Sequence, residues 1–462
     1  MAKTIWAGEA LLPDGWACAV SVRLDDAGAI TEVTTGQAPG EAQATWSVDV
    51  LLPGIANLHS HAHQRAMAGM AERAQGDRAA EDSFWTWREA MYRYLGRLTP
   101  PQLEAIAAQL YVEMLKAGYT CVAEFQYVHH AGDGQPYAQR AEMTLRCYRA
   151  ARAAGIAFCA LPVLYCYGGF AEAPTSGAQA RFVNSLDDYL VLVEQTRRAL
   201  IHDADAHFGL APHSLRAVSP ALLTRMLEAR QALGDGPVHV HIAEQQAEVR
   251  ACVDWCGERP VQWLLERYPV DRQWCLIHAT HMIKSESEAL AAAGARVGLC
   301  PTTEANLGDG MFDAPTYQGA GGRWGIGSDS NICVDPVEEL RWLEYGQRLR
   351  LQARNVMAQE GSSTGAALYG QAARDGSAAC GRLAGAIAPG MRGDFVALDG
   401  DHPRLAGARG DLWLDRWLFS GNDSLVMDVW VGGRQVVSAG RHADEEPIAD
   451  RFRSVMAELA TT

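Results

Sequence analysis

Histidines and carboxylates recur along this chain at spacings that suit the binding of a metal ion. His59-Ser60-His61 is an HxH pair. In an extended segment side chains alternate, so both imidazoles point to the same side. His63 continues that spacing, but three ligands from one segment would strain the geometry, and it is expected to support the site rather than ligate. In PVHVHIAE, His239 and His241 also share a face. His241 is nearer the end of the run and is the better ligand; His239 is expected to pack one layer deeper. His278 in WCLIHAT and Asp329 in GIGSD complete the set. Imidazoles plus one carboxylate suit a divalent transition ion such as zinc, with iron and manganese as the other candidates.

Residues so far apart must be brought together by a regular scaffold. Apolar runs that read as buried parallel strands are PGIANLH, TCVAEFQ, AFCALPVLY, AHFGLAPH, PVHVHIAE, WCLIHAT, ARVGLCP and RWGIGSD. Helical patterns lie between them. The clearest is TPPQLEAIAAQLYVEMLKAG, with Thr99 as N-cap, prolines in the first turn and Gly118 as C-cap. Its apolar positions Leu103, Ile106, Leu110 and Met114 follow the helical period. Eight strands alternating with helices predict a (β/α)₈ TIM barrel over residues 53–388. Such barrels carry their chemistry at the C-terminal strand ends. Those ends hold His59 and His61, Glu124 with Gln126 and Tyr127, His213, His241 with Glu244, His278, and Ser328 with Asp329. Residues 1–52 and 389–462 have a different texture of short alternating runs, so they are expected to pair into one small β-sandwich domain built from both chain ends.

Composition narrows the function classes. Of 462 residues, 48% are hydrophobic and 21% charged, an ordinary globular balance. Lys+Arg of 40 against Asp+Glu of 55 gives a net charge of −15 without a basic cluster, which disfavours nucleic acid and anionic membranes as partners. No apolar stretch is long enough to span a bilayer, and the first residues lack the pattern of a signal peptide. The eleven cysteines are scattered. Cys252 and Cys256 sit one helical turn apart without a second pair, so they read as thiols rather than a structural zinc site. Free thiols in this number point to a reducing cytoplasm.

PGxxNLHSH, HIAE, the His278 strand, GSD and GxIAPGxxGDFVAL together resemble the amidohydrolase superfamily over nearly the whole chain. The resemblance implies His59, His61, His241 and Asp329 as metal ligands, with His278 beside the reacting water. No lysine stands near His213, so the bridged two-metal arrangement has no counterpart and one divalent ion is expected. The HxxE spacing from His241 to Glu244 is similar to the deaminase branch. That implies three proton-handling roles: Asp329 accepts the water proton, His278 orients the nucleophile, and Glu244 protonates the substrate nitrogen and aids departure of ammonia. The bland alternative for Glu244 is a carboxylate placed at a helix start by the dipole.

Longer strings, HSHAHQRAMAG, FWTWREAMY, AEFQYVHH, APHSLRAV, HVHIAEQ, CPTTEANLGDG and GSDSN, are similar to the formimidoylglutamate deiminases. The expectation is hydrolytic deamination of N-formimino-L-glutamate to N-formyl-L-glutamate and ammonia, in histidine degradation. The implied substrate-binding set is Gln64, Arg88, Tyr127, His213 and Arg216, in a homodimer. The two arginines fit a dicarboxylate substrate, because the guanidinium fork binds carboxylate bidentately. The alternative is an aromatic-base deaminase such as guanine deaminase, for which Phe84, Trp85 or Trp87 could stack on the base, although these three are expected to pack under the loop. A neutral purine would leave those arginines without counter-charge. The TEANLGDG loop is expected to close the site, with the role of Glu304 open. Ser328 and Asn331 are expected to position Asp329.

Overall fold

The computed structural model describes residues 3–40, 42–70, 72, 87, 91–92, 94–234 and 236–460. Strands buried on both faces have no need to alternate polar with apolar residues. The strands Ile55–Ser60, Tyr119–Gln126, Ala157–Leu164, Val238–Ile242 and Trp274–His278 are buried at every position. Their runs in the sequence are continuous for that reason.

These strands form two parallel arcs. One runs Ile55–Ser60, Tyr119–Gln126, Ala157–Leu164, Ala206–Phe208, and the other Val238–Ile242, Trp274–His278, Arg296–Leu299, Arg323–Ile326. Isolated parallel bridges join them, Leu210 to Val238 and Ser214 to His241 on one side and Ser60 to Asp329 on the other. The result is a closed eight-stranded barrel with helices following its strands.

The run 206–213, expected as one strand, is broken into Ala206–Phe208 and Ala211–Pro212. Gly209 explains the break: a Cβ there would fall 2.4 Å from the Pro237 carbonyl oxygen and 2.9 Å from Leu161. The backbones approach so closely that only glycine fits. The helix Pro100–Ala117 follows its sequence signals closely. The Gln102 side chain accepts the Thr99 N–H at 3.1 Å, and Gly118 ends the helix at φ 105°.

Both chain ends build one eight-stranded sheet. Lys3–Leu12, Gly15–Leu24, Ile30–Thr34 and Trp46–Pro53 join Phe395–Leu398, Val426–Val431, Arg434–Ser438 and Arg441–His442. The junction is the antiparallel pair in which Phe395 faces Pro53 and Leu398 faces Val50. Ile5, Val20, Val22, Leu51, Phe395 and Trp430 form its core. The C-terminal segment is not all sheet: Leu412–Phe419 and Glu445–Ala460 are helices, and the latter packs on Pro100–Ala117, with Lys116 Nζ 2.8 Å from Glu445. Buried Arg382 ties the sheet to the barrel, bonding Asp394 at 2.6 and 2.7 Å and Asp205 at 2.9 Å. No helix among the described residues is long and apolar enough to cross a membrane.

Candidate metal centre and active site

The C-terminal strand ends converge on four ligand atoms. His59, His61, His241 and Asp329 each place one within 4.8 Å of the others, and all four residues are buried. Asp329 Oδ1 lies 3.3 Å from His59 Nε2 and 3.1 Å from His61 Nε2. His241 Nε2 lies 3.0 Å from His59 Nε2. The outer nitrogens of two rings are fixed: His61 Nδ1 donates to the Phe125 carbonyl at 2.9 Å and His241 Nδ1 to the His213 carbonyl at 3.0 Å. With the proton on Nδ1, the Nε2 lone pairs of both rings face inward, as metal ligation requires.

Electrostatics agree with that reading. Burial drives the His59 pKa down to about 3, aided by His61 and His278. Burial and four neighbouring histidines likewise hold His241 well below its ordinary value. Burial alone would raise Asp329, but the close approach of His59 and His61 holds it well below the carboxylate range. Neutral imidazoles converging on a carboxylate repel through their lone pairs unless a cation lies between them. The donor set fits one divalent ion.

The backbone is strained where it delivers these groups. Ala243 (φ 50°), His278 (φ 67°), Ala279 (φ 48°), Asp329 (φ 44°) and Asn331 (φ 57°) all follow barrel strands in the left-handed region. Conformations of this kind cluster at functional sites. Hydrogen bonds hold the last loop: Asp329 N–H to the His59 carbonyl and His61 N–H to the Asp329 carbonyl, both 3.0 Å. Ser328 and Asn331 add a chain of side-chain bonds, Asn57 to Ser328 and Ser328 to Asn331 at 2.6 Å each, then Asn331 to the His61 carbonyl at 3.0 Å.

Beside the cluster stand His278 and Glu244, the residues expected to handle protons. His278 Nε2 is 3.8 Å from Glu244 and 3.9 Å from Asp329. Burial opposes the charge on this ring, but Glu244, Glu304 and Asp329 outweigh it and lift its pKa to about 10. Burial raises Glu244, against the pull of His278 and Arg216.

One cavity of about 70 Å³ gathers His61, Gln64, Tyr127, His213, Arg216, His241, Glu244, His278 and Asp329 in its lining. Aromatic walls come from Tyr92, Tyr165 and Phe182, joined by Trp87. His59 lies beneath this floor, and Arg88, Phe84 and Trp85 lie outside the described residues. Gln64 Nε2 donates to the Tyr127 hydroxyl at 2.8 Å, and His63 Nε2 meets the same oxygen at 3.1 Å, so His63 stands away from the cluster. His239 reaches the Ala379 carbonyl at 2.9 Å. His129 and His130 bond the carbonyls of Val163 and Val183. Two larger clefts, of about 740 and 710 Å³, contain none of the cluster or its neighbours.

One carboxylate took no part in the sequence reading of the site. Glu248 accepts the N–H groups of Ala243 and Glu244 at 3.2 and 3.3 Å and faces Arg216 Nε at 3.8 Å. Its position four residues after Glu244, in the first turn of Gln246–Cys256, is the signal that could have found it. Glu124 is a brace: fully buried, it accepts the Ala62 N–H at 2.7 Å and the Tyr111 hydroxyl at 3.1 Å, and burial pushes its pKa up to about 7.

A closed parallel barrel with three imidazoles and a carboxylate converging at its C-terminal mouth, next to acid–base groups, defines a metal-dependent hydrolase. Residues 50–436 match the Amidohydrolase family, and residues 2–44 match the N-terminal domain of formimidoylglutamate deiminase HutF. The chain belongs to the amidohydrolase family, among the formimidoylglutamate deiminases, and is a hydrolase of C–N bonds. It is 52% identical over 460 residues to the formimidoylglutamate deiminase of Pseudomonas aeruginosa, covering 99% of each chain. The 8-oxoguanine deaminase of the same organism is 26% identical, covering 84% of each. A solved amidohydrolase from Brucella melitensis superposes with a TM-score of 0.94 at 46% identity, covering 99% of this chain and 100% of that one. A zinc-bound adenosine deaminase from Xanthomonas campestris shares the fold at TM-score 0.81 and 20% identity.

Proposed function

We propose that this chain hydrolyses N-formimino-L-glutamate to N-formyl-L-glutamate and ammonia, a step of histidine degradation. The observation that carries the reading is the shared cavity. Arg216 and Glu244 line the same space as His61, His241 and Asp329 of the cluster, in a chain half identical end to end to a formimidoylglutamate deiminase.

His59, His61, His241 and Asp329 would hold the ion, and this nitrogen-rich set supports zinc. A bound divalent ion supplies Lewis acidity and lowers the pKa of a coordinated water towards about 7. Asp329 accepts the proton of the attacking water. His278, between Asp329 and Glu244, orients the nucleophile. Glu244 protonates the imino nitrogen, which makes the amidine carbon more electrophilic. As the C–N bond breaks, that nitrogen takes the proton held by Asp329 and leaves as ammonia, while the hydroxyl proton returns to Glu244 and the carbon keeps the water oxygen as a formyl group.

Substrate capture falls to Arg216, with Gln64, Tyr127 and His213 on the same wall and Arg88 as the second cation. Among the described residues Arg216 Nε has no hydrogen-bond partner, and Glu248 stands 3.8 Å away without closing on it. A substrate carboxylate completes that pair. Arg216→Ala should therefore cost about 2–3 kcal/mol, roughly 30- to 150-fold in kcat/KM. Steady-state kinetics check this, and an unchanged kcat/KM would remove Arg216 from the site.

The scattered free cysteines support a reducing cytoplasm as the setting. The helix Pro336–Leu351 supports a homodimer, since Trp342, Tyr345 and Leu349 form an exposed apolar row on it. The deciding experiment is ammonia release by zinc-loaded protein offered N-formimino-L-glutamate, guanine and adenosine in parallel. Release from the dicarboxylate alone is expected. Release from a purine instead would overturn the substrate assignment.

A further inference from the structure

His278 reaches its two acidic neighbours through Nε2, so the direction of its ring decides whether it can serve them. Its backbone lies in the left-handed region, and its other nitrogen, Nδ1, faces Glu304 Oε1 at 3.3 Å. Glu304 is itself held firmly. The same Oε1 accepts the Cys300 N–H at 3.0 Å, and the Glu304 N–H donates to the Cys300 carbonyl at 2.9 Å. The Glu304 carbonyl takes the Asp309 N–H at 3.0 Å, which anchors the TEANLGDG loop. Glu304 is 5% exposed and does not line the cavity. It therefore acts on substrate only through another residue.

We infer that Glu304 is a positioning residue for the deamination: its carboxylate takes the Nδ1–H of His278 and fixes the ring with Nε2 turned towards Glu244 and Asp329. This rests on the function proposed above for the same site. The competing role is purely structural, a carboxylate that caps the turn at Pro301–Leu307 by holding the Cys300 N–H. Both roles use the same oxygen, so no substitution of Glu304 removes one bond alone, and zinc content, melting temperature and the state of the His278 ring must separate them. Glu304→Ala removes both bonds, whereas Glu304→Gln keeps an oxygen that can accept from Cys300 and from Nδ1.

Removing a partner that orients an active-site histidine costs about 10- to 100-fold. Glu304→Ala is expected to lower kcat by that factor, with KM within about twofold and the zinc content and melting temperature held. Glu304→Gln should return kcat to within about fivefold of wild type. Histidine labelled with ¹⁵N gives a readout free of turnover: the Nδ1–H signal of His278, assigned with His278→Asn, should persist in wild type and Glu304→Gln and vanish by exchange in Glu304→Ala. Wild-type kcat in Glu304→Ala would overturn the inference. So would a Glu304→Gln enzyme as slow as Glu304→Ala, or a loss explained by missing zinc or a lowered melting temperature. If wild-type protein fails to act on N-formimino-L-glutamate, the proposed function falls while the labelled-histidine comparison still decides the role of Glu304.

Discussion

Asp329→Asn is expected to lower kcat by about 10³-fold or more while leaving the barrel folded. The proposed function gives the residue two tasks that an amide cannot perform. Its Oδ1 lies against His59 and His61, where a neutral oxygen is a weaker partner for a cation. Its Oδ2 faces His278, where an amide cannot take a proton from water. The fold should survive, because the bonds that lock this loop to the first barrel strand belong to the Asp329 backbone. The measurement pairs ammonia release at saturating substrate with zinc content per chain. Zinc-replete Asp329→Asn protein turning over at a near-normal rate would rule out the proton-acceptor role.

Glu244→Gln should come second, with a fall in kcat of about 10²–10⁴-fold and a smaller change in KM. Glutamine keeps the shape and the backbone bonds to Glu248, yet it has no acidic proton to give to the imino nitrogen. Burial raises the Glu244 pKa, so the ionised form is disfavoured in the folded protein. The glutamine variant should accordingly melt at the wild-type temperature or slightly above it. Calorimetry and kinetics on one preparation test both halves. A variant that loses stability and activity together would mean that Glu244 braces the strand end rather than serving the chemistry.

The sequence is most legible where one physical constraint dominates. Buried parallel strands must be apolar throughout, so the barrel strands stand out in it, and the HxH and HxxE spacings convert directly into faces and strand ends. The helix Pro100–Ala117 is legible because capping is local chemistry. The split at Gly209 is not, since the close approach of Pro237 is a long-range fact. Glu248 and Glu304 are harder still. Each looks like an ordinary acidic residue in the first turn of a helix, and only the fold reveals that one faces Arg216 and the other His278. The two-part terminal sheet is readable as two β-rich ends, but the return of the last helix to the barrel is not.

The barrel is closed at its two seams by isolated bridges rather than continuous ladders. Three cluster residues flank one seam, His59 and His61 on the first arc and Asp329 after the last strand of the second, while His241 stands on the first strand of the second arc beside the other seam. An ion held by them would be a rivet between the two arcs, making occupancy and cohesion one linked quantity. Binding to the folded form alone adds RT ln(1 + [M]/Kd), about 2.7 kcal/mol at a hundredfold excess over Kd. The melting temperature should then climb with the logarithm of free zinc, and a chelated sample should open first along the seams. A melting temperature indifferent to zinc would mean that the arcs hold together unaided.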